Sequence, residues 1–329
     1  MKVLLTGSTG LLGHNILKVL IDRHFQVNVI VRDEKKLLVK GGDIRVFKGS
    51  FLSFSDLCAA ADGCDAIIHA AAATDMSLGF QEFERVIVGG AKNVIEVAKA
   101  KNINDIVFIS SANTIGHGSG SRLADETVPM EYPFSESYYA QTKKMAEELF
   151  VEFSNSTLHS PNSTLNNNHI VILNPGFMLG AYDTKPSSGQ MVLAAYRKPL
   201  MVTPKGGKSF IHVRDVAMAA VNALEMGRNG ERYLCANFNM TIRDFYKLLS
   251  KTCGYRQMLI TVPNFLMSVI GIFGSFLWKL GIRNQATLVN VRQLCVTEHY
   301  NSGKARRELQ LPETPLVTAI EDCVNFLTK

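Results

Sequence analysis

Tyr139 and Lys143 lie four residues apart, and the hydroxyl pair Ser110-Ser111 precedes them in the chain. On a helix that spacing projects both side chains from one face. A phenol with a pKa near ~10 is a poor proton donor or acceptor at neutral pH, and a nearby ammonium lowers it by favouring the phenolate. The chemistry these residues suit is proton transfer, with Tyr139 moving the proton and Lys143 tuning it. Asp105 to Ile109 reads as a buried strand that ends in the hydroxyl pair, and active-site groups of open parallel sheets gather at the carboxyl ends of strands. There Ser111 can hydrogen-bond the substrate oxygen that Tyr139 protonates. The plainer role, a serine capping the turn at the strand end, suits Ser110 better than Ser111. Tyr and Lys meet at this spacing by chance on many helix surfaces, so the surrounding elements must carry the case.

Those elements begin at the N-terminus. Lys2-Val3-Leu4-Leu5 has the apolar run of a buried parallel strand, and Leu11 to Leu20 has helical periodicity. Between them lies Thr6-Gly7-Ser8-Thr9-Gly10-Leu11-Leu12-Gly13, ending 126 residues before Tyr139. Gly7 permits the turn, Gly10 lets the backbone approach a pyrophosphate, and Gly13 lets the helix pack on the strand, while the helix N-terminus offers N–H donors to an anion. Together with Thr9, Leu11 and Leu12 this is a dinucleotide cradle, its spacing one residue longer at the front than the common fingerprint. The second strand, Val27 to Val31, ends at Arg32, 19 residues after Gly13, where the contact to the adenosine ribose is expected. An acid there would select a free 2′-hydroxyl. Arg32, with Lys35 and Lys36 just beyond, instead offers donors to a 2′-phosphate. NADP is the expected cofactor, and NAD is the alternative, because Asp33 is adjacent and a one-residue shift reverses the preference.

Strand-like runs at 2–6, 27–31, 44–47, 66–70, 105–110, 169–173 and 232–236 alternate with helical stretches, and Tyr139 to Val151 reads as one helix. Such alternation implies an α/β fold with a doubly wound parallel sheet of the Rossmann type. Residues 1–176 are expected to form the dinucleotide-binding domain, completed by about 209–236, with 177–208 and 237–329 as a smaller C-terminal substrate-binding lobe. Ser154 to Asn168 is a polar insertion expected to be a surface loop. The 329 residues are 47% apolar, ample for a core. The net charge of +6 is spread without a basic run interleaved with aromatics, which argues against a nucleic-acid partner. Cys58, Cys64, Cys235, Cys253, Cys295 and Cys323 form no Cys-x-x-Cys pair and read as buried small hydrophobes in a reducing cytosol, with no metal site. No signal peptide precedes the first strand, so a cytoplasmic location is expected. His69 and His212 each lie inside an apolar run and read as satisfied core histidines.

Several of these segments, in this order, resemble the extended short-chain dehydrogenases/reductases. The matching pieces are Thr6 to Gly13, His69-Ala70-Ala71-Ala72, Ser110 to Gly116, Tyr139-x-x-x-Lys143, Asn174-Pro175-Gly176, Phe210 to Ala217 and Lys304 to Leu309. The resemblance implies Ser111, Tyr139 and Lys143 as a catalytic triad, with Lys143 also holding the nicotinamide ribose. It implies Ala70, Ala71 and Ala72 along the cofactor, with Ser50, Phe51, Asn174, Pro175, Gly176 and Met178 as further cofactor contacts. The Arg32 position and the long C-terminal region are most similar to the dihydroflavonol reductase and 3β-hydroxysteroid dehydrogenase branch. One departure stands out: Ile87 and Ala91 occupy positions where that family usually carries Asn and Thr, which puts any relay or water held there in doubt.

Gln257 to Trp278 runs for 22 residues without a charge. Pro263-Asn264 divides it into the strand-like Leu259 to Val262 and a helix of about 16 residues, some 24 Å long, short of a ~30 Å hydrocarbon core. Two readings remain: a helix that lines an apolar pocket in the lobe, which is preferred, or an in-plane membrane contact through 264–280. The reading of the whole is an NADP(H)-dependent oxidoreductase interconverting a carbonyl and an alcohol on a largely apolar small molecule, in the cytoplasm or at a membrane, with a homodimer left open. A nucleotide-sugar epimerase or dehydratase is the alternative, with Arg197-Lys198 and Lys205 to Lys208 as candidate diphosphate contacts. An idle NADP-sensing protein is the alternative of another class.

Overall fold

The computed structural model describes residues 1–118, 122–156 and 168–329. A seven-stranded sheet forms its centre, built from β1 (Lys2–Thr6), β2 (Gln26–Val31), β3 (Asp43–Lys48), β4 (Ala66–His69), β5 (Asp105–Ile109), β6 (His169–Pro175) and, later in the chain, β10 (Arg232–Cys235). The order across the sheet is β10-β6-β5-β4-β1-β2-β3, with every pair parallel. Strands buried on both faces need continuous apolar runs, and β1, β4, β5 and β6 have them. The strand order reverses between β1 and β4, so a crevice opens at their carboxyl ends, the usual ligand position in such sheets. Each of the seven expected strands is present within one or two residues of its reading.

Helices cover both faces. On one side α1 (Leu11–Asp22) packs with α7 (Val213–Met226) in a core that includes Ile16, Leu20, Val216 and Ala220. On the other lie α2 (Phe54–Ala60), the short α3 (Phe80–Phe83), α4 (Gly89–Lys101) and α5 (Tyr138–Asn155), which bury Phe83, Val94, Phe108 and Phe150. α5 starts one residue before the expected helix and extends four beyond it. Between α3 and α4, residues Glu84–Val88 make one wider π turn. Most of the polar insertion, 157–167, lies outside the described residues.

The rest of the chain builds the lobe. β7 (Phe177–Leu179), β9 (Gly207–His212) and β11 (Phe238–Thr241) form a three-stranded sheet, and β8 (Leu200–Thr203) pairs in parallel with β12 (Met258–Thr261). Thus of the return at about 209–236, α7 and β10 join the main layers while β9 does not. α6 (Gly189–Ala195), α8 (Ile242–Thr252) and α12 (Leu316–Leu327) close a third apolar cluster around Phe210, Phe245 and Ile320. α9 (Asn264–Lys279), α10 (Leu288–Gln293) and α11 (Gly303–Glu308) complete the chain.

α9 departs from the preferred sequence reading. Its two buried residues are Gly271 and Gly274, pressed against Leu288 and Ala286 at the start of α10, while Phe265 is 67% and Phe273 62% exposed. The helix does not sink into a core: the glycine strip and the half-buried Met267, Ser275, Leu277 and Trp278 meet protein, and the opposite face is exposed. Among the described residues no helix is long and apolar enough to cross a membrane.

Candidate active site

The glycine turn folds as its spacing requires. Gly7 has φ +75°, the left-handed region, and a Cβ there would come 2.6 Å from the Ala71 backbone nitrogen. A Cβ on Gly13 would strike the Gly7 carbonyl. The loops after β1 and β4 can therefore touch only with glycine at position 7. Gly10 is exposed at the N-cap of α1, where a Cβ would meet only the Gly7 oxygen at 3.5 Å, so bare backbone N–H groups face outward at a helix N-terminus. Leu11 and Leu12 are buried behind them and Thr9 is half-buried at the rim. These features fit the pyrophosphate of a dinucleotide.

His14, which the sequence reading passed over, ties this turn to the next. Its Nε2 accepts from the Leu38 N–H at 3.1 Å, so Nδ1 carries the proton and donates to the Gly10 carbonyl at 3.1 Å. Burial lowers its pKa and keeps this neutral tautomer. The segment so held contains Arg32, exposed at the end of β2, and Lys36, also exposed. Asp33 is engaged locally: its carboxylate accepts from the Lys35 N–H at 3.1 Å and lies 3.7 Å from the Lys36 ammonium. At the end of β3, Ser50 N–H donates to Asp56, and Phe51 lies against Gly90 and 5.8 Å from the His69 ring. His69 is a buried core histidine: Thr6 Oγ1 pairs with its Nδ1 at 2.7 Å, and burial first, with the Lys143 charge adding, pushes its pKa down to about 3. His212 is likewise buried, with Nδ1 accepting from the Arg214 N–H and Nε2 donating to Asp322.

The three residues expected to act together meet at the carboxyl end of β5. Ser111 stands close enough to the Tyr139 phenol to lower its pKa, and Lys143, 2% exposed, lies one turn along α5 with its ammonium donating to the Ile109 carbonyl at 2.7 Å. Two expectations need correction. The Tyr139 pKa is raised overall, because burial outweighs the lowering by Ser111, and no lowering by Lys143 is present. The lysine charge is turned to the Ile109 carbonyl and is itself costly to bury: its pKa falls to about 7, with Glu147 pushing back up. The cap falls on Ser111 rather than Ser110, since Ser111 Oγ accepts from the Asn113 N–H at 3.2 Å while Ser110 Oγ donates to Glu147.

Glu147 is the largest omission of the sequence reading. Its Oε1 accepts from Ser110 Oγ, Thr114 Oγ1 and Asn174 Nδ2, each at 2.6 Å, and the residue is 1% exposed. Asn174 also donates to the Ser111 carbonyl at 3.1 Å. One carboxylate thus fastens α5, β6 and the turn bearing Ser111 to one another. Asn174, expected to face a cofactor, turns inward to this network, while Pro175 is buried and Gly176 and Met178 are half-buried where the chain leaves the sheet. Behind Glu147 a groove of about 890 Å³ runs between α5, β10 and α11, where Lys304 pairs with Glu231 and Arg228 with Glu308.

Ile87 and Ala91 are fully buried in the apolar cluster with Phe83, and Phe83 meets the Tyr139 ring edge-on at 5.9 Å. No polar group is offered there to a water. Ala70 and Ala72 are half-buried and Ala71 is buried beside Gly7. Cys64, Cys235 and Cys323 are buried as expected, whereas Cys58, Cys253 and Cys295 are only half-buried, and none of the six is bonded to another. Among the described residues there is no cluster of three metal-ligating side chains.

Comparison with known proteins gives this geometry a family. A model of the 3-beta hydroxysteroid dehydrogenase/isomerase family matches residues 4–263. A putative dihydroflavonol 4-reductase of Synechocystis sp. is 27% identical over 331 residues, covering 98% of this chain and 93% of the relative. A 4-hydroxy-2-methyl-3-oxo-4-farnesyl-3,4-dihydroquinoline-1-oxide ketoreductase of Stigmatella aurantiaca is 29% identical over 318 residues, covering 94% and 91%. A solved UDP-glucose 4-epimerase of Thermotoga maritima, with UDP-glucose bound, matches at a TM-score of 0.77 over 100% of this chain and 99% of its own, at 16% identity, which is a likeness of fold. With the glycine turn, the switch-point crevice and the Ser111–Tyr139–Lys143 grouping in place, the chain belongs to the 3-beta hydroxysteroid dehydrogenase/isomerase family of extended short-chain dehydrogenases/reductases and is an oxidoreductase using a nicotinamide dinucleotide.

Proposed function

We propose that the protein is an NADP(H)-dependent reductase or dehydrogenase that interconverts a carbonyl and an alcohol on a largely apolar small molecule, with Tyr139 as proton donor and acceptor. The observation that carries this reading is the placement of Ser111 against the Tyr139 phenol with Lys143 buried one turn along the same helix and anchored on the Ile109 carbonyl, at the strand edge where the glycine turn opens. When bound, the cofactor supplies or accepts the hydride at the carbonyl carbon. Ser111 orients the substrate oxygen. Tyr139, whose raised pKa keeps the phenol protonated at neutral pH, gives that oxygen its proton in reduction. Lys143, anchored on the Ile109 carbonyl, holds the nicotinamide ribose, and Glu147 holds the Ser111 turn in place through Asn174 and Thr114. In this reading residues 1–176 with about 209–236 bind the dinucleotide, and 177–208 with 237–329 shape the substrate site.

The preference for NADP rests on Arg32, exposed at the end of β2 while Asp33 is engaged by Lys35 and Lys36. The apolar substrate class rests on the farnesylated ketone in the name of the Stigmatella relative and on the fate of Lys208. That lysine, a candidate diphosphate contact of the epimerase alternative, is buried in a close ion pair with Glu298 and also faces the Gln293 carbonyl, so it is withdrawn from any ligand.

The test is NADPH consumption across apolar ketones, sterol-like and flavonoid-like, against nucleotide sugars, with NADPH and NADH titrated in parallel. Turnover of an apolar ketone with NADPH preferred is expected, and Arg32→Asp should weaken NADPH binding by about 1.5–3 kcal/mol and shift preference toward NADH. Turnover of nucleotide sugars alone contradicts the substrate class, and a native preference for NADH reassigns the ribose contact to Asp33.

A further inference from the structure

We propose that α9 docks the protein on the surface of an anionic lipid bilayer, lying in the plane of the membrane with its exposed face among the acyl chains. At 100° per residue, the exposed side chains from Ile272 through Phe265, Phe276, Val269 and Phe273 to Ile270 sweep an arc of about 160°. No hydrogen-bonding side chain interrupts that arc, and no charge occurs between Gln257 and Trp278. Such an arc cannot be left to water without a large apolar patch. An apolar protein interface would bury the same arc, and what distinguishes a lipid surface is the set of cations beside the helix; an in-plane helix buries its apolar face about 5–10 Å deep.

The charges around the helix fit a lipid surface. Lys279 is exposed at its C-terminal end, and Arg243, also exposed, donates to Thr261 just before its N-terminal end. Arg256 is exposed at the start of β12, and the neighbouring face of the β8–β12 pair exposes Val202 and Ile260 opposite one another. Cations bracketing an apolar ridge are attracted to anionic headgroups. The ridge is also fastened to the site: the Trp278 indole donates to the Ser77 carbonyl at 3.2 Å, Asn290 to the Met76 carbonyl at 3.1 Å, and Arg283 pairs with Glu82 at 3.0 Å. That segment leads from Ala72 into α3, whose Phe83 abuts Tyr139. Docking on α9 therefore turns the crevice side of the molecule toward the bilayer. The docking stands on the helix itself and does not depend on the proposed reaction.

The experiment is sedimentation of the full chain with vesicles of mixed phosphatidylcholine and phosphatidylglycerol, comparing wild type with Val269→Asp/Phe273→Asp. NADPH binding, followed by cofactor fluorescence, reports folding in both. Wild type should pellet with the vesicles, and the variant should partition at least about tenfold less while still binding NADPH. If the double aspartate variant loses NADPH binding, Val269→Ser/Phe273→Ser replaces it and should show the same direction. Wild type remaining in the supernatant overturns the proposal, as does equal pelleting of both proteins. A wild-type dimer that the variant disperses, without vesicle binding, overturns it in favour of self-association. Loss of ketone turnover with docking intact would fault the reaction and leave the docking standing.

Discussion

A single carboxylate, Glu147, gathers three donors on one oxygen and so joins the hydroxyl of Ser110, the turn of Ser111 and the strand of Asn174. It also raises the pKa of Lys143 against the burial that lowers it to about 7. Glu147→Gln keeps an acceptor for the three donors but removes that charge. Lys143 should then lose its proton at lower pH, so the alkaline limb of the pH profile of kcat/KM moves to lower pH, with kcat falling about tenfold and NADPH still bound. A merely structural role would lower activity and leave the limb in place. Tyr139 and Lys143 were legible in the sequence because four-residue spacing on a helix fixes a shared face. Glu147 follows Lys143 by the same spacing, yet an acid four residues from a lysine is most often a surface pair. Its apolar neighbours Ala146 and Phe150 were the signal that this face turns inward.

At the scale of elements, apolar runs marked the strands because a parallel sheet buried on both faces admits little else, and the ends erred by a residue or two because hydrogen-bonded turns, not composition, stop them. The pH response of the sheet follows from His69. Its folded pKa of about 3 lies below the ordinary histidine value of 6.5, so the unfolded chain binds the proton first, and the stabilisation it contributes is complete above pH 6.5 and lost as pH falls below that value. Urea unfolding between neutral pH and about pH 5 should show stability falling, with His69 accounting for up to about 1.4 kcal/mol per pH unit. In His69→Asn, which retains a partner for Thr6, that slope should be shallower; an unchanged slope would mean that His69 is not held neutral. His14, also lowered by burial, contributes with the same sign and remains in the variant. Periodicity could not foresee the exposure of α9. An apolar helix of that length looks alike in sequence whether protein or lipid covers it.

For the whole molecule, a doubly wound sheet places the glycine turn, the Arg32 segment and the Ser111–Tyr139–Lys143 grouping along one edge. The order of the motifs along the chain made this architecture legible, and the family match over residues 4–263 agrees with it. The substrate was less legible, because the C-terminal part of the chain carries no fixed motif. The central claim is that this edge reduces a carbonyl by proton donation from Tyr139. The most direct measurement is NADPH-dependent turnover of an apolar ketone by wild type and by Tyr139→Phe, with NADPH affinity measured on the same preparations. The account predicts that turnover falls at least about a hundredfold while NADPH affinity is nearly unchanged; turnover retained in Tyr139→Phe would contradict it.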